Sequence, residues 1–186
     1  MSPNIAELAN LIISMLCYSF VLLFIFNLLK VNYFNPIVKA FVTAYKPISK
    51  LSIFSYRLFI IALIAVCLKF ASFQLFPYEI FTIAGIRFLP NNVSIEISGV
   101  IAFIGTIIFA LNIIFYSVIG SVILSWVSPN NENPALELID EISNKILSPI
   151  KKVIPSMGGL DFSPIFLFIL INVILGWLQD IIRLIT

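Results

Sequence analysis

The side chains with the most chemical potential gather in one stretch, LSPIKKVIPSMGGLDFSP, residues 147–164. Lys151 and Lys152 can meet a phosphate or an anionic headgroup. Gly158-Gly159 allows a positive φ or the close approach of another helix. Asp161 and Ser163 stand where a carboxylate or hydroxyl caps a helix that begins at Pro164. Capping is the first reading of Asp161. The sharper one is a binding carboxylate at a helix N-terminus, paired with Lys151 or Lys152. Catalysis finds little support. No second carboxylate is placed for an acid/base pair, and no glycine-rich phosphate loop is present. The chain has no histidine, which removes the commonest general base, the usual haem ligand and the best zinc ligand. Cys17 and Cys67 are isolated in apolar runs and read as packing residues. The expectation is therefore a non-enzyme with no catalytic residues, no cofactor and no metal.

Composition places these residues at a membrane. The 186 residues are 61% hydrophobic and 11% charged, with a mean hydropathy of +1.11. A water-soluble domain carries about twice that share of charge. The net charge of +2 is too small to suggest nucleic acid. No Lys or Arg precedes the first apolar run, so it reads as a retained span and not a cleavable signal.

Four runs are long enough to cross. Leu8–Leu29 is free of charge and ends at Lys30. Leu58–Phe76, between Arg57 and Pro77, contains Lys69, whose long stem can snorkel to the interface, although an intramembrane lysine is also a functional candidate. A third span is expected over Ser98–Trp126, with Trp126 as an interfacial anchor. Its uncharged run, Ile97 to Asn131, implies tilt or an interfacial start. The fourth runs from Pro164 to about Arg183. The stretch from Pro77 to Glu96 reads as a loop whose IFTIAGI core either dips into the interface or packs on the bundle.

Two helices are expected to lie in the interface. After Asn35-Pro36, the residues Ile37, Ala40, Phe41, Ala44, Tyr45 and Ile48 recur at helical spacing. After Asn133, a capping residue, and Pro134, suited to the first helical position, Leu136, Ile139, Ile142, Ile146, Leu147 and Ile150 form one face. Glu137, Asp140, Glu141, Asn144 and Lys145 form the other. Pro149 is expected to end or kink this helix, and Pro155 to stop the piece that follows. Lys151-Lys152 reads first as a topology and lipid anchor. Five cations lie in the loop from Lys30 to Arg57 and three from Val127 to Phe162, against Arg87 and Arg183 opposite. The positive-inside rule puts both loops in the cytoplasm and both termini outside.

The chain also aligns with itself at an offset of 98 residues: Tyr18-Ser19 falls on Tyr116-Ser117, Ile25 on Ile123, Asn32 on Asn130, Asn35-Pro36 on Asn133-Pro134, and Ile48 on Ile146. The expected fold is an all-α polytopic membrane protein with four transmembrane helices in two tandem span–interfacial helix–span repeats. Residues 6–76 form the first, degraded repeat, 77–96 an external loop and 97–186 the second.

The second copy resembles the YggT family of small bacterial membrane proteins, also called YlmG, with chloroplast relatives. The resemblance rests on Ser125-Trp126 with Ser128 in LSWVSPNNENP, Asn133-Pro134, Pro149 with Lys151-Lys152, Ile154-Pro155, and Gly158-Gly159-Leu160-Asp161-Phe162-Ser163-Pro164. It departs in having two lysines where arginines are common, and in a first copy without its own basic pair and glycine pair. The resemblance implies a role in osmotic tolerance, cell division or envelope organisation, with chloroplast relatives linked to haem attachment on cytochrome b6 and to nucleoid distribution. The first functional expectation is a docking or organising factor of the inner membrane, in contact with lipid and other membrane proteins, or forming a homo-oligomer. A channel or transporter subunit in the osmotic response is the alternative, with Asn27, Asn112, Asn172, Gln74 and Lys69 along its path. A third reading is an assembly factor for a membrane haem protein.

Overall fold

A computed structural model describes residues 3–46, 57–127, 133–154 and 161–186. Helix α1 spans Pro3–Leu28, α2 Pro36–Ala44 and α3 Arg57–Leu75. A β-hairpin follows, β1 Phe81–Ile83 with β2 Ile86–Phe88, and then a 3-10 turn at Pro90–Asn92. Helix α4 spans Ile95–Val127, α5 Pro134–Val153 and α6 Ser163–Ile185.

Helices α1, α3, α4 and α6 are long and apolar enough to cross a membrane. The shortest stretch, the 18 residues of Leu58–Leu75, covers about 27 Å at 1.5 Å per residue, close to the hydrocarbon thickness of about 30 Å. The 33 residues of α4 reach about 50 Å, so this helix extends into an interface or tilts. Large apolar side chains stay uncovered along these helices, Met15, Phe103 and Ile169 each by more than half. In water that surface would drive association, whereas lipid tails accept it.

The chain divides into two compact units, to both of which α1, α4 and α6 contribute. One comprises Met1–Phe24, Ser52–Ala110 and Leu175–Thr186 and is called here the hairpin unit. Its core is an aromatic cluster. Phe73 of α3 meets Phe81 edge-on at 4.7 Å and Phe88 at 5.2 Å between ring centroids. The strands pair Phe81 with Phe88 and Ile83 with Ile86 through a two-residue turn, Ala84-Gly85, both at positive φ. That conformation matches the strand twist. Gly105 of α4 lets the hairpin approach, since a Cβ there would lie 2.9 Å from Ile83 Cδ1. Asn10 Nδ2 donates to Glu79 Oε2 at 2.7 Å and ties α1 to the approach of the hairpin. The IFTIAGI stretch thus packs on the helices and does so as a hairpin, where sequence reasoning has a loop with turn signals.

The second unit comprises Ile25–Leu51 and Leu111–Ile174. It contains α2 and α5, which pack on each other. Both start alike. The side-chain oxygen of Asn35 accepts from the Ile37 amide at 3.0 Å and that of Asn133 from the Ala135 amide at 2.9 Å. The cap residues have φ −61 and ψ 124 in one case, −75 and 122 in the other, with proline directly after each. These are the N-caps that the Asn-Pro pairs predict.

Pro149 does not end its helix. Helix α5 continues through it to Val153. A proline here removes one amide donor and leaves the Lys145 carbonyl without its intrahelical partner. The residue lies on the exposed face of α5, where solvent or headgroups can satisfy that carbonyl. Pro155, expected to stop the chain next, lies outside the described residues. The buried face of α5 is also shifted from the expected stripe. Ile142 and Leu147 are buried, but so are Leu138 and Ser143, while Leu136, Ile139, Ile146 and Ile150 are only partly covered. Ser143 Oγ is buried without a hydrogen-bond partner. Removing such a group costs nothing in lost bonds, so Ser143→Ala is expected to raise stability by about 1 kcal/mol, read by denaturation in detergent. A clear loss of stability would show that the hydroxyl serves a partner.

Candidate functional site

The polar groups of the second unit converge where the end of α1 meets α5. Helix α1 closes with Lys30 at φ 51, and the Val31 amide reaches back to the Phe26 carbonyl at 2.9 Å. This is a helix stop in which the left-handed residue is lysine instead of the usual glycine, at a strain of about 1–2 kcal/mol. The Lys145 ammonium of α5 donates to the Lys30 carbonyl, which α1 cannot satisfy itself. Lys145 also pairs with Glu141 Oε1 at 2.9 Å, and the same oxygen accepts from the Asn32 amide at 2.8 Å. About two helical turns before Glu141 on α5, Asn35 Nδ2 donates to the Pro134 carbonyl at 2.8 Å. The first loop is therefore clamped on α5 by three contacts that begin on different residues.

Helix α5 is fixed on α4 as well. Ser121 Oγ donates to Asp140 Oδ1 at 2.6 Å. Gly120 brings α4 so close that a Cβ there would sit 3.1 Å from Ile139 Cγ2. Two of the three carboxylates on the polar face of α5 are thus spent on holding the helix in place.

At the other end of α5, Lys151 Nζ lies 3.0 Å from Asp161 Oδ2, and Asp161 Oδ1 accepts from the Ser163 amide at 2.9 Å. Both expectations for Asp161 therefore meet in one group, which caps α6 and pairs with a lysine of the same segment. Burial pushes the Asp161 carboxyl upward, but the Ser163 amide and the Lys151 ammonium outweigh it and hold the group below the usual carboxylate range. A carboxylate depressed in the folded state contributes stability above its ordinary range and loses it as pH falls through the folded value. Acidification below about pH 4 is thus expected to loosen the α5–α6 connection. Both side chains are more than a third exposed, so the effect is under about 1 kcal/mol. Comparing the melting temperature of the native chain and Asp161→Asn between neutral and acidic pH checks this. The variant should show the smaller change.

The remaining expected site residues are not gathered. Ser125 Oγ donates to its own helix at the Val122 carbonyl at 2.7 Å, and Trp126 is exposed. Lys152 is exposed, Pro164 partly covered, and Ser163 fully buried with its hydroxyl unpartnered. Ser128, Pro155, Gly158 and Gly159 lie outside the described residues. Sequence reasoning missed the roles of Glu141 and Lys145. Their one signal was position, four residues apart on the polar face, a spacing that predicts their own ion pair but not the loop residues they hold.

Fold and clamp define the class as a helical membrane protein with four candidate spans, in which an amphipathic helix after the third span is locked to the turn after the first. Residues 100–182 match the family model described as CCB3/YggT. The match covers most of α4, all of α5 and most of α6, and none of the first 99 residues. The chain is 45% identical over 64 residues to an uncharacterized protein of Pseudomonas aeruginosa, over 34% of this chain and 32% of the relative. It is 35% identical over 89 residues to the uncharacterized protein YggT of Escherichia coli, over 48% and 44%. A Vibrio alginolyticus protein is 31% identical over 84 residues, over 44% and 45%. The chain thus spans less than half the length of the curated relatives it matches. No solved structure matches it.

Proposed function

We propose that the chain is a non-enzymatic inner-membrane protein whose two interfacial helices form a docking surface for other membrane proteins and for lipid headgroups, in envelope organisation, osmotic stress or cell division. The observation that carries this reading is the clamp. Glu141, Lys145 and Asn35 join α2 and the first loop to α5, while the turn they hold leaves Phe34 90% exposed with Tyr33 beside it. Lys39, Lys151 and Lys152 add exposed cations on the same unit. Rigid elements that present aromatic and basic side chains suit recognition better than chemistry. The matched Asn35 and Asn133 caps support two tandem repeats, and the lysine count supports a cytoplasmic position for this unit.

Two of the residues proposed for a channel path have uses inside the fold. Gln74 donates to Ser98 at 3.0 Å, and Asn172 to the Phe168 carbonyl of its own helix at 2.8 Å. These are ordinary helix-stabilising bonds.

Photo-crosslinkers at Phe34 and at Asn144 test the docking surface. The same membrane protein should be captured from both positions, and lost when Glu141→Ala opens the clamp. Capture unaffected by Glu141→Ala, or of different proteins at the two positions, would sink the reading. Ion or solute flux in liposomes under an osmotic gradient would favour the channel instead. Cysteine labelling at Asn144, which is exposed where Ser143 is not, and at Asn92 should proceed from opposite sides of the membrane.

A further inference from the structure

Helices α1, α3 and α4 leave a groove of about 190 Å³ in the hairpin unit, lined by Val21, Phe24, Ala62, Ala65, Phe103 and Ala110 among others. Alanines shape it where larger side chains would close it. The lining is apolar throughout, and its one hydroxyl, on Thr106, donates to the Ala102 carbonyl of its own helix at 2.8 Å. The volume exceeds the roughly 150 Å³ of an apolar cavity that takes up benzene. A groove with no unmet polar group suits hydrocarbon and offers water nothing.

Ala62, Val66 and Lys69 follow at steps of four and three, so the groove wall on α3 leads along one face to Lys69. Lys69 stands about 4.5 Å further along the helix axis than Val66, toward the end of α3 that carries the hairpin. Its ammonium lies 5.5 Å from the Phe73 ring centroid and 5.8 Å from that of Phe81. Among the described residues no carboxylate pairs with it. Aromatic faces steady the cation, but among the described residues its three N–H donors meet no oxygen acceptor.

We propose that this face is a phospholipid site, with one acyl chain in the groove and the headgroup phosphate on Lys69. The phosphate is the anion that a bilayer supplies at the depth where a lysine near a span end presents its ammonium. A second copy of the chain fits poorly. A two-fold contact through the groove would bring the same face of each α3, and with it each Lys69, toward its twin, and like charges would oppose it. The hydrophobic effect does not drive association inside lipid, so selectivity rests on the fit of the groove and on the charge above it.

The test uses the full chain in nanodiscs of phosphatidylethanolamine and phosphatidylglycerol, with phosphatidylglycerol carrying a mid-chain diazirine as probe. Adducts should concentrate on residues 62–66 and 103–110, well above the yield at exposed Ile169, which reports the ordinary lipid shell. Ala110→Phe should bring the groove adducts down to the Ile169 level. Ala62→Phe fills the groove from the opposite wall and serves if the first variant does not fold. Lys69→Gln should remove the preference for phosphatidylglycerol over a diacylglycerol probe of equal tail, and Lys69→Arg should keep it. Equal yields at the groove and at Ile169 would overturn the site, as would groove adducts that survive the filling variants. Crosslinking of the groove to a second copy would assign it to an oligomer instead. Equal labelling by the two probes in the native chain would remove the phosphate contact.

Discussion

Phe73→Ala is expected to destabilise the hairpin unit by about 3–5 kcal/mol, the usual loss for a buried aromatic ring. Phe73 is fully buried at 0% exposure. Its ring is what Phe81 and Phe88 pack against edge-on from the two strands, and Lys69 rests over it as well. Truncation removes all three contacts at once and leaves a void that a three-residue pair of strands cannot close. A two-stranded hairpin is at best marginal without a surface to pack on, so the loss should appear first as release of the hairpin. Amide exchange at residues 81–88 should accelerate well before the spans are affected, and unfolding in detergent should give the magnitude. Phe73→Leu, which keeps most of the volume, should cost about 1–1.5 kcal/mol. If Phe73→Ala lay within 1 kcal/mol of the native chain, the hairpin would be held by something other than this cluster.

The spans were readable because length and absence of charge decide them. The window Leu58–Leu75 differs from its expected bounds by one residue. The Asn35 and Asn133 caps were readable because an Asn-Pro pair has few other uses. The hairpin was not. Its strands are three residues long, too short for alternation to stand out, and their apolar face exists for Phe73, a partner outside the stretch. Ala84-Gly85 was the local signal, weakened because alanine seldom takes a positive φ. Pro149 was expected to end or kink α5 and does not end it: on an exposed face the carbonyl that a proline strands need not be satisfied within the helix. At the candidate site, Lys151 and Asp161 were legible as partners since a single segment carries both. Glu141 was not, because its spacing predicts only the ion pair with Lys145 and nothing in it points to the first loop. Only the fold shows which carboxylate reaches the Asn32 amide.

The same contrast makes the two capping asparagines unequal. Asn35 is 2% exposed and works at both ends of its amide, with Oδ1 on the Ile37 amide and Nδ2 on the Pro134 carbonyl. Asn35→Ala removes a cap, at about 0.5–2 kcal/mol. It also strands a carbonyl in a partly buried contact, at about 1–3 kcal/mol. A total of about 2–4 kcal/mol is expected, with separation of α2 from α5. Asn133 is exposed, so water can take over what alanine gives up, and Asn133→Ala should cost about 1 kcal/mol. Asn35→Ser separates the two roles, because serine restores a cap acceptor but cannot reach Pro134, and it should recover only the first part. Unfolding in detergent gives the totals, and a crosslink between α2 and α5 reports the separation directly. Two copies of a repeat that remained energetically equivalent would give equal losses. A larger loss at Asn133 would mean that α5 is secured at its own start, and that the first loop is a passenger on it.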